Sequence, residues 1–421
     1  MSLKVLVISE EGFSSLSGGG ILKKNLFALS GCYQILSLED PVDNELKSHH
    51  EKISIKSSII RARNSHLFKY FKRARSEVGI RDSNKKSVIK LIIRGILGNV
   101  SHPSFLIRLD PKIMRRVYEF KPDLIYTTLG SYGLNQLVIR LATALEKPLV
   151  VHIMDDWIAA TNNRGLASLF LGPIIHLQFK KLLQLAARNY VISGEMKRVY
   201  EERYGLIFTV LHNGIEDARI NSARKKIDGN VISIGYVGSL IDAVQVEGIN
   251  DLIEAVKVFN TNSKNKKYKI HLFISPSSFD HAKFIYQESD VITLSAASAD
   301  DNIYHETLRS MNILFVPSPF NIDGYKYTQF SVPAKLPSYL ASNNAILGYG
   351  PESSVQMKMM PKDFCWLVHE KSIDKLVQAL LNIESKLNIS ENDSVRQYQY
   401  TKNNYSLDKI QNNFYNELQK L

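Results

Sequence analysis

The chain has 421 residues, 44% of them hydrophobic and 22% charged. That is more than one core usually supports and too apolar for a disordered or low-complexity chain, so two domains of about 200 residues each are expected. The formal net charge is +12, and the two cysteines, Cys32 and Cys365, lie too far apart for a disulfide framework or a zinc spacing, which fits a reducing compartment.

Residues 4–9 form a short apolar run that reads as a buried strand. A small-residue loop, 14–20, follows and ends in Gly18-Gly19-Gly20. An apolar-periodic segment then runs from Ile21 to Leu29. Strand, glycine loop and helix open a doubly wound α/β domain. The glycines permit close backbone approach to a phosphate or an acceptor, with a plain flexible turn as the alternative. The first apolar run is too short for a signal peptide, and no run reaches the roughly 18 residues of a spanning helix. A cytoplasmic protein is expected. Residues 31–38 read as a second strand.

Residues 56–116 carry 16 Lys or Arg against three acids, while the rest of the chain is nearly neutral. Within this block, Ser87–Val100 places Val88, Leu91, Ile92 and Ile96 on one helical face, flanked by Lys90 and Arg94. An amphipathic helix with basic edges suits an anionic membrane surface, peripheral at the inner face, beside a lipid-linked acceptor. An anionic glycan or phosphate-bearing acceptor and an inert solvated face remain alternatives. Nucleic acid is not expected, because aromatic interleaving is sparse there.

Residues 123–128 and 148–154 read as further strands, the second running into Asp155-Asp156. Parallel sheets bind ligands at the carboxyl ends of their strands, so His152, Asp155 and Asp156 become catalytic candidates. Either acid suits an acceptor hydroxyl, and N-capping of the next helix is the competing role. Adjacent acids on a strand point apart and no further ligands are evident, so no metal is expected. A helix over 174–188, a strand over 189–193, a helix over 194–204 and a strand over 209–212 complete this half. Asn213-Gly214 reads as a hinge turn, and Glu216 as a ligand contact or a surface charge. After a polar linker, 218–230, the pattern restarts. Strands are expected over 231–237, 268–275, 291–294, 313–317 and 345–348, with helices over 248–259 and 332–342. Asp323 and Gly324 read as turn residues, and the tail from Asp393 as helical.

Several segments, in order, resemble the retaining family-4 glycosyltransferases of GT-B architecture. They are Gly18-Gly19-Gly20, residues 121–126 (KPDLIY), residues 187–193 (ARNYVIS), residues 211–216 (LHNGIE), residues 235–240 (GYVGSL), residues 331–341 (SVPAKLPSYLA) with 345–348, and residues 403–406. The resemblance implies an α/β fold of two Rossmann-like domains facing across a cleft. Residues 1–215 would bind the acceptor and 216–392 the nucleotide-sugar, with 393–421 packing back on the N-terminal domain. It also implies metal-independent, retaining transfer of a sugar from a nucleotide-sugar, the co-substrate, to a glycan or lipid-linked acceptor in cell-surface polysaccharide synthesis, with no cofactor. A strand end similar to 152–156 touches the donor sugar in that family.

A departing diphosphate needs cations or helix N-terminal N–H groups. Lys335, in the first turn of the expected 332–342 helix, is the leading candidate, against a solvated surface lysine. Gly238, Ser239, Lys326, Tyr327, Ser331 and Ser338 complete the expected donor pocket. Three positions depart from the family. Ser239 replaces its phosphate-binding Arg, and Phe330 and Ser338 replace its paired glutamates. A GT-B nucleotide-sugar epimerase and a degenerate, non-catalytic sugar-nucleotide-binding protein therefore stay as alternatives.

Overall fold

The computed structural model describes residues 2–10, 12–13, 18–39, 49–54, 109–128, 130–156, 158, 166–224, 229–263, 265–330, 332–386 and 391–421. The chain divides into two compact units, Met1–His212 with Asn413–Leu421, and Asn213–Asn412. Among the described residues no helix is long and apolar enough to cross a membrane. The expected Ser87–Val100 helix and most of the basic block lie outside the described residues.

The first unit holds a parallel sheet of β1 (Leu3–Ser9), β2 (Tyr33–Glu39), β3 (His50–Ser54), β4 (Leu124–Thr128), β5 (Leu149–Ile153), β6 (Arg188–Val191) and β7 (Thr209–Val210), in the order β3-β2-β1-β4-β5-β6-β7. Val5, Leu6, Val7 and Ile8 are all fully buried. A strand with both faces covered needs such an unbroken apolar run, because helices pack on either side of a parallel sheet. Ser131 and Ser193 cap the Tyr132–Leu145 and Gly194–Tyr204 helices by accepting from Leu134 N and Met196 N. The glycine run is helical, since the helix after β1 starts at Gly18 and ends at Leu26.

The second unit repeats the plan with β8 (Val231–Gly238), β9 (Lys267–Ile274), β10 (Ile292–Ala296), β11 (Ile313–Pro317), β12 (Ala345–Tyr349) and β13 (Cys365–Val368), in the order β10-β9-β8-β11-β12-β13. In both sheets the chain builds outward from a central strand, then returns to its other side. The strand order therefore reverses between β1 and β4, and again between β8 and β11, where ligands of open α/β sheets bind. The helix expected over 332–342 is shorter, Leu336–Ala341.

One expectation about chain path changes. The Glu391–Tyr405 helix belongs to the second unit. Gln397 Nε2 there donates to the carbonyls of Leu340 and Asn344 at 3.1 Å each. Asn343 Nδ2 donates to Ser394 Oγ at 2.9 Å. The two units divide at His212–Asn213, beside the expected Asn213-Gly214 hinge turn, and Gly214 also serves a close approach. Ile215 bridges to Ser406, and a Cβ at 214 would meet Tyr405 O and Leu407 Cα at 3.0 Å. Glu216 pairs with Arg219 at 3.0 Å.

Only the last nine residues return to the first unit. Phe414 is buried there with its ring 5.5, 5.7 and 6.0 Å from those of Phe27, Tyr190 and Tyr126. Edge-on contacts of this kind add to simple burial. Phe414→Ala should lower the stability of the first unit by roughly 3–5 kcal/mol, the usual cost of emptying an aromatic site. Urea unfolding followed by tyrosine fluorescence checks this, and a loss near zero would mean the tail is not part of that core.

Candidate functional site

In the second unit β8 delivers its last residues to the point where the strand order reverses. Gly238 has φ +148°, a conformation that side-chain-bearing residues rarely adopt. A Cβ there would also lie 3.2 Å from Lys335 Nζ and 3.4 Å from Tyr236 Oη. The strand end is fixed by tyrosines. Tyr339 Oη accepts from Val237 N at 2.8 Å, and Tyr236 Oη donates to the Ser239 carbonyl at 2.5 Å.

Lys335 reaches this end from the residue just before the Leu336–Ala341 helix. Its Nζ donates to the Val237 carbonyl at 3.1 Å and lies 3.8 Å from the centroid of the Tyr236 ring and 5.7 Å from that of Tyr339. Aromatic faces attract a cation but do not neutralise it. Among the described residues no carboxylate forms an ion pair with this amine. The residue as a whole is half-buried, but its amine is enclosed, and burial alone pushes its pKa down to about 7. These contacts with Val237, Tyr236 and Tyr339 speak against the solvated-surface alternative for Lys335. Lys335 stands at the N-cap of the helix, one residue before its first turn, and its carbonyl accepts from Tyr339 N at 2.9 Å.

The other expected donor residues surround this amine unevenly. The Ser239 side chain is exposed. Ser338 is half-buried and hydrogen-bonds the Tyr304 hydroxyl. Ser331 lies outside the described residues. Lys326 and Tyr327 lie in the Ile322–Thr328 helix, not in a loop, and their side chains are outside the description. Asp323 and Gly324 belong to the first turn of the same helix. Gly324 is required there because a Cβ would come within 2.0 Å of the Ala243 carbonyl oxygen. Asn321 caps this helix through Gly324 N at 2.7 Å and donates to Ala243 O at 2.9 Å, which pins the segment after β11 to the segment after β8.

In the first unit the expected catalytic residues are engaged in the fold. His152 is fully buried. Its Nε2 meets the Leu211 carbonyl at 2.9 Å and must donate to it, so Nδ1, 2.7 Å from Tyr126 Oη, accepts. Both nitrogens are used, and burial pushes the imidazole down to about 4, so it stays neutral. Asp156 accepts from Tyr200 Oη at 2.9 Å and pairs both carboxylate oxygens with Arg203 Nη1 at 3.2 Å. These contacts anchor the Gly194–Tyr204 helix. Asp155 is exposed. Gly19 and Gly20 are buried and Gly18 is exposed in the first helical turn.

One residue of this unit escaped the sequence reading. Lys23 is fully buried on the helix after β1, with its Nζ 3.1 Å from Ser9 Oγ. The signal was present, since position 23 lies on the buried stripe of Gly19, Leu22 and Leu26. Among the described residues no group of three or more His, Cys, Asp or Glu is placed to hold a metal ion.

No protein-family description and no curated protein sequence matches the chain. Solved structures do resemble it over nearly its whole length. HepE from Anabaena, solved in complex with UDP, has a TM-score of 0.61 at 11% identity, covering 100% of both chains. Sucrose-phosphate synthase from Thermosynechococcus elongatus has a TM-score of 0.63 at 12% identity, covering 99% of this chain and 98% of that one. A glycosyltransferase from Rickettsia africae has a TM-score of 0.64 at 11% identity, covering 100% and 99%. The fold is therefore GT-B, two Rossmann-like domains in one chain.

The buried amine makes a pH prediction. Lys335 has a pKa near 7 in the folded chain against 10.5 unfolded, so between these values the unfolded chain holds a proton that the folded chain lacks. The penalty is complete below pH 7 and fades as the pH rises towards 10.5. Lys335→Met removes it. Urea unfolding at pH 6, 8 and 10 should therefore show wild type gaining stability relative to the variant as the pH rises. A constant difference would show that the amine is freely solvated.

Proposed function

We propose that the chain is a glycosyltransferase that binds a nucleotide-sugar at the carboxyl ends of β8 and β11. The observation that carries this reading is the Lys335 amine, enclosed between two tyrosine rings and the Val237 carbonyl with no carboxylate pairing it among the described residues. An enclosed, uncompensated amine is costly in the empty protein and favourable once an anion arrives. A nucleoside diphosphate is such an anion. It becomes the leaving group in sugar transfer, where Lys335 would stabilise the charge that develops on its oxygens. Gly238, lacking a Cβ, lets that group approach the strand end. UDP, which HepE holds in its crystal structure, is the first nucleotide to test.

The acceptor is a glycan or a lipid-linked saccharide held by the first domain, and the basic block over 56–116 would dock on an anionic membrane surface. Retention of anomeric configuration, independence of metal and a place in polysaccharide synthesis are part of the same reading, and rest on the resemblance of the motifs. The serine at 338 and the phenylalanine at 330, where the family has glutamates, favour a second reading, in which the donor is bound but not transferred.

Calorimetric titration of UDP, ADP and GDP into the full chain tests the first step. One of them should bind, and Lys335→Ala should weaken it about ten- to a hundredfold, the range for loss of a charged hydrogen bond. At pH 8 binding should take up protons, because the anion draws the Lys335 pKa upward. Failure of all three nucleotides at millimolar concentration would overturn the proposal. Product analysis with each nucleotide-sugar then separates the activities. Transfer needs an acceptor, epimerisation does not, and binding without turnover is the degenerate case.

A further inference from the structure

The first domain carries buried polar groups that the donor site leaves unused, and they collect at the carboxyl ends of β1, β2 and β4. Glu39 ends β2 and is fully buried. Its Oε2 accepts from Phe13 N at 3.3 Å. Its Oε1 forms a buried ion pair with the Lys52 ammonium at 3.8 Å, and Ser37 also hydrogen-bonds the carboxylate. Lys23, bonded to Ser9 at the end of β1, lies close enough for its charge to act on Glu39. Glu10 follows Ser9 and lies against Gly130, where a Cβ would come 2.7 Å from Glu10 Oε2. The other oxygen, Oε1, is buried and has no hydrogen-bond partner among the described residues.

A different side chain gives an independent observation. Asn135 is fully buried, and neither its Oδ1 nor its Nδ2 has a hydrogen-bond partner among the described residues. It lies in the first turns of the Tyr132–Leu145 helix, which starts just after the Gly130 segment that Glu10 touches. Helical side chains lean towards the N-terminus of their helix, so this amide leans back to the same strand end. Folded proteins leave few buried polar atoms unpaired, because each forfeits its hydration. Here Glu10 Oε1 and the whole Asn135 amide lack hydrogen bonds among the described residues around the switch point between β1 and β4, while Glu39 is charge-paired with Lys52.

The chemistry of these groups selects the ligand. Carboxylate oxygens accept hydrogen bonds and repel anions, while an amide both donates and accepts. A neutral sugar ring supplies several O–H donors and O acceptors on a rigid frame. We infer that this end of the first domain binds a neutral glycosyl unit of the acceptor, with Glu10 and Glu39 accepting from its hydroxyls and Asn135 bonding a third oxygen. The inference rests on the glycosyltransferase reading and narrows its acceptor to an uncharged sugar at this position. A phosphate-bearing unit would face the Glu10 carboxylate there, whereas the Glu39 charge is already balanced by Lys52.

Two sets of measurements on the full chain decide it. Saturation-transfer NMR with glucose, galactose, N-acetylglucosamine and glucose 6-phosphate reads the sugar site, and calorimetry with UDP reads the donor site. At least one neutral sugar should bind wild type and lose affinity at least tenfold in Asn135→Leu and in Glu10→Gln. UDP affinity should stay within twofold in both variants. Asn135→Leu should also raise the melting temperature of the sugar-free protein, because it removes an unpaired buried amide; a merely structural asparagine would lower it. Glu10→Gln, conservative in shape, keeps the test open if the leucine variant fails to fold. The inference is overturned if no neutral sugar binds while UDP does, if glucose 6-phosphate binds more tightly than glucose, or if both variants bind sugar like wild type. Loss of UDP binding in wild type itself would instead strike the donor reading.

Discussion

The constraint on which the proposed donor site depends is the enclosure of one lysine amine with no carboxylate pairing it among the described residues. Lys335 is held by a carbonyl and two aromatic faces, all of which favour a cation without cancelling it. The arrangement requires the β8 terminus to keep its shape. Gly238 supplies the backbone conformation and leaves the space that the amine occupies. Tyr339 fixes Val237 from the same side, so one short helix delivers both the charge and the group that aligns its partner. Replacement of any of these would move the amine or release it to water, and in water it would bind an anion no better than a surface lysine.

The fold was legible wherever burial was complete on both faces of a strand. β1, β4, β5, β8 and β11 are predominantly apolar and buried, and the strand followed by a glycine-rich helix start marks the opening of a doubly wound sheet. Of the four edge strands among the described residues, two, β3 and β13, were not legible. β3 reads His50-Glu51-Lys52-Ile53-Ser54, and β13 is only four residues long, so neither carries a clear pattern. The tail was assigned to one domain because helical periodicity says nothing about which core a helix joins. The amides of Asn343 and Gln397 decide that, by capping carbonyls far away in the sequence.

The site was legible as a position and not as a mechanism. Lys335 was selected for a helix start, whereas its tyrosine contact at position 236 comes from a strand about a hundred residues earlier, which no local pattern reveals. His152 and Asp156 were selected because strand ends usually face ligands. Their partners, Leu211, Tyr200 and Arg203, sit on later elements and use these polar groups for packing. A polar residue at a strand end is thus a candidate only until its long-range partners are known. Lys23 shows the converse, because an ordinary amphipathic stripe placed a lysine inside the domain.

The two sheets share a strand order, yet their switch points differ in electrostatic character. In the second unit the focus is an unbalanced amine; in the first it is the Glu10 carboxylate and an unpaired amide, beside a Glu39 that Lys52 and Lys23 balance. Identical topology gives each domain the same crevice, and the side chains around it then select opposite kinds of ligand. Under the proposed reading, the cationic crevice would retain a diphosphate, whereas the carboxylate and amide groups of the other would accept sugar hydroxyls. This division would keep donor and acceptor from competing for one another's place, because each pays a desolvation cost in the wrong domain that it recovers only in its own.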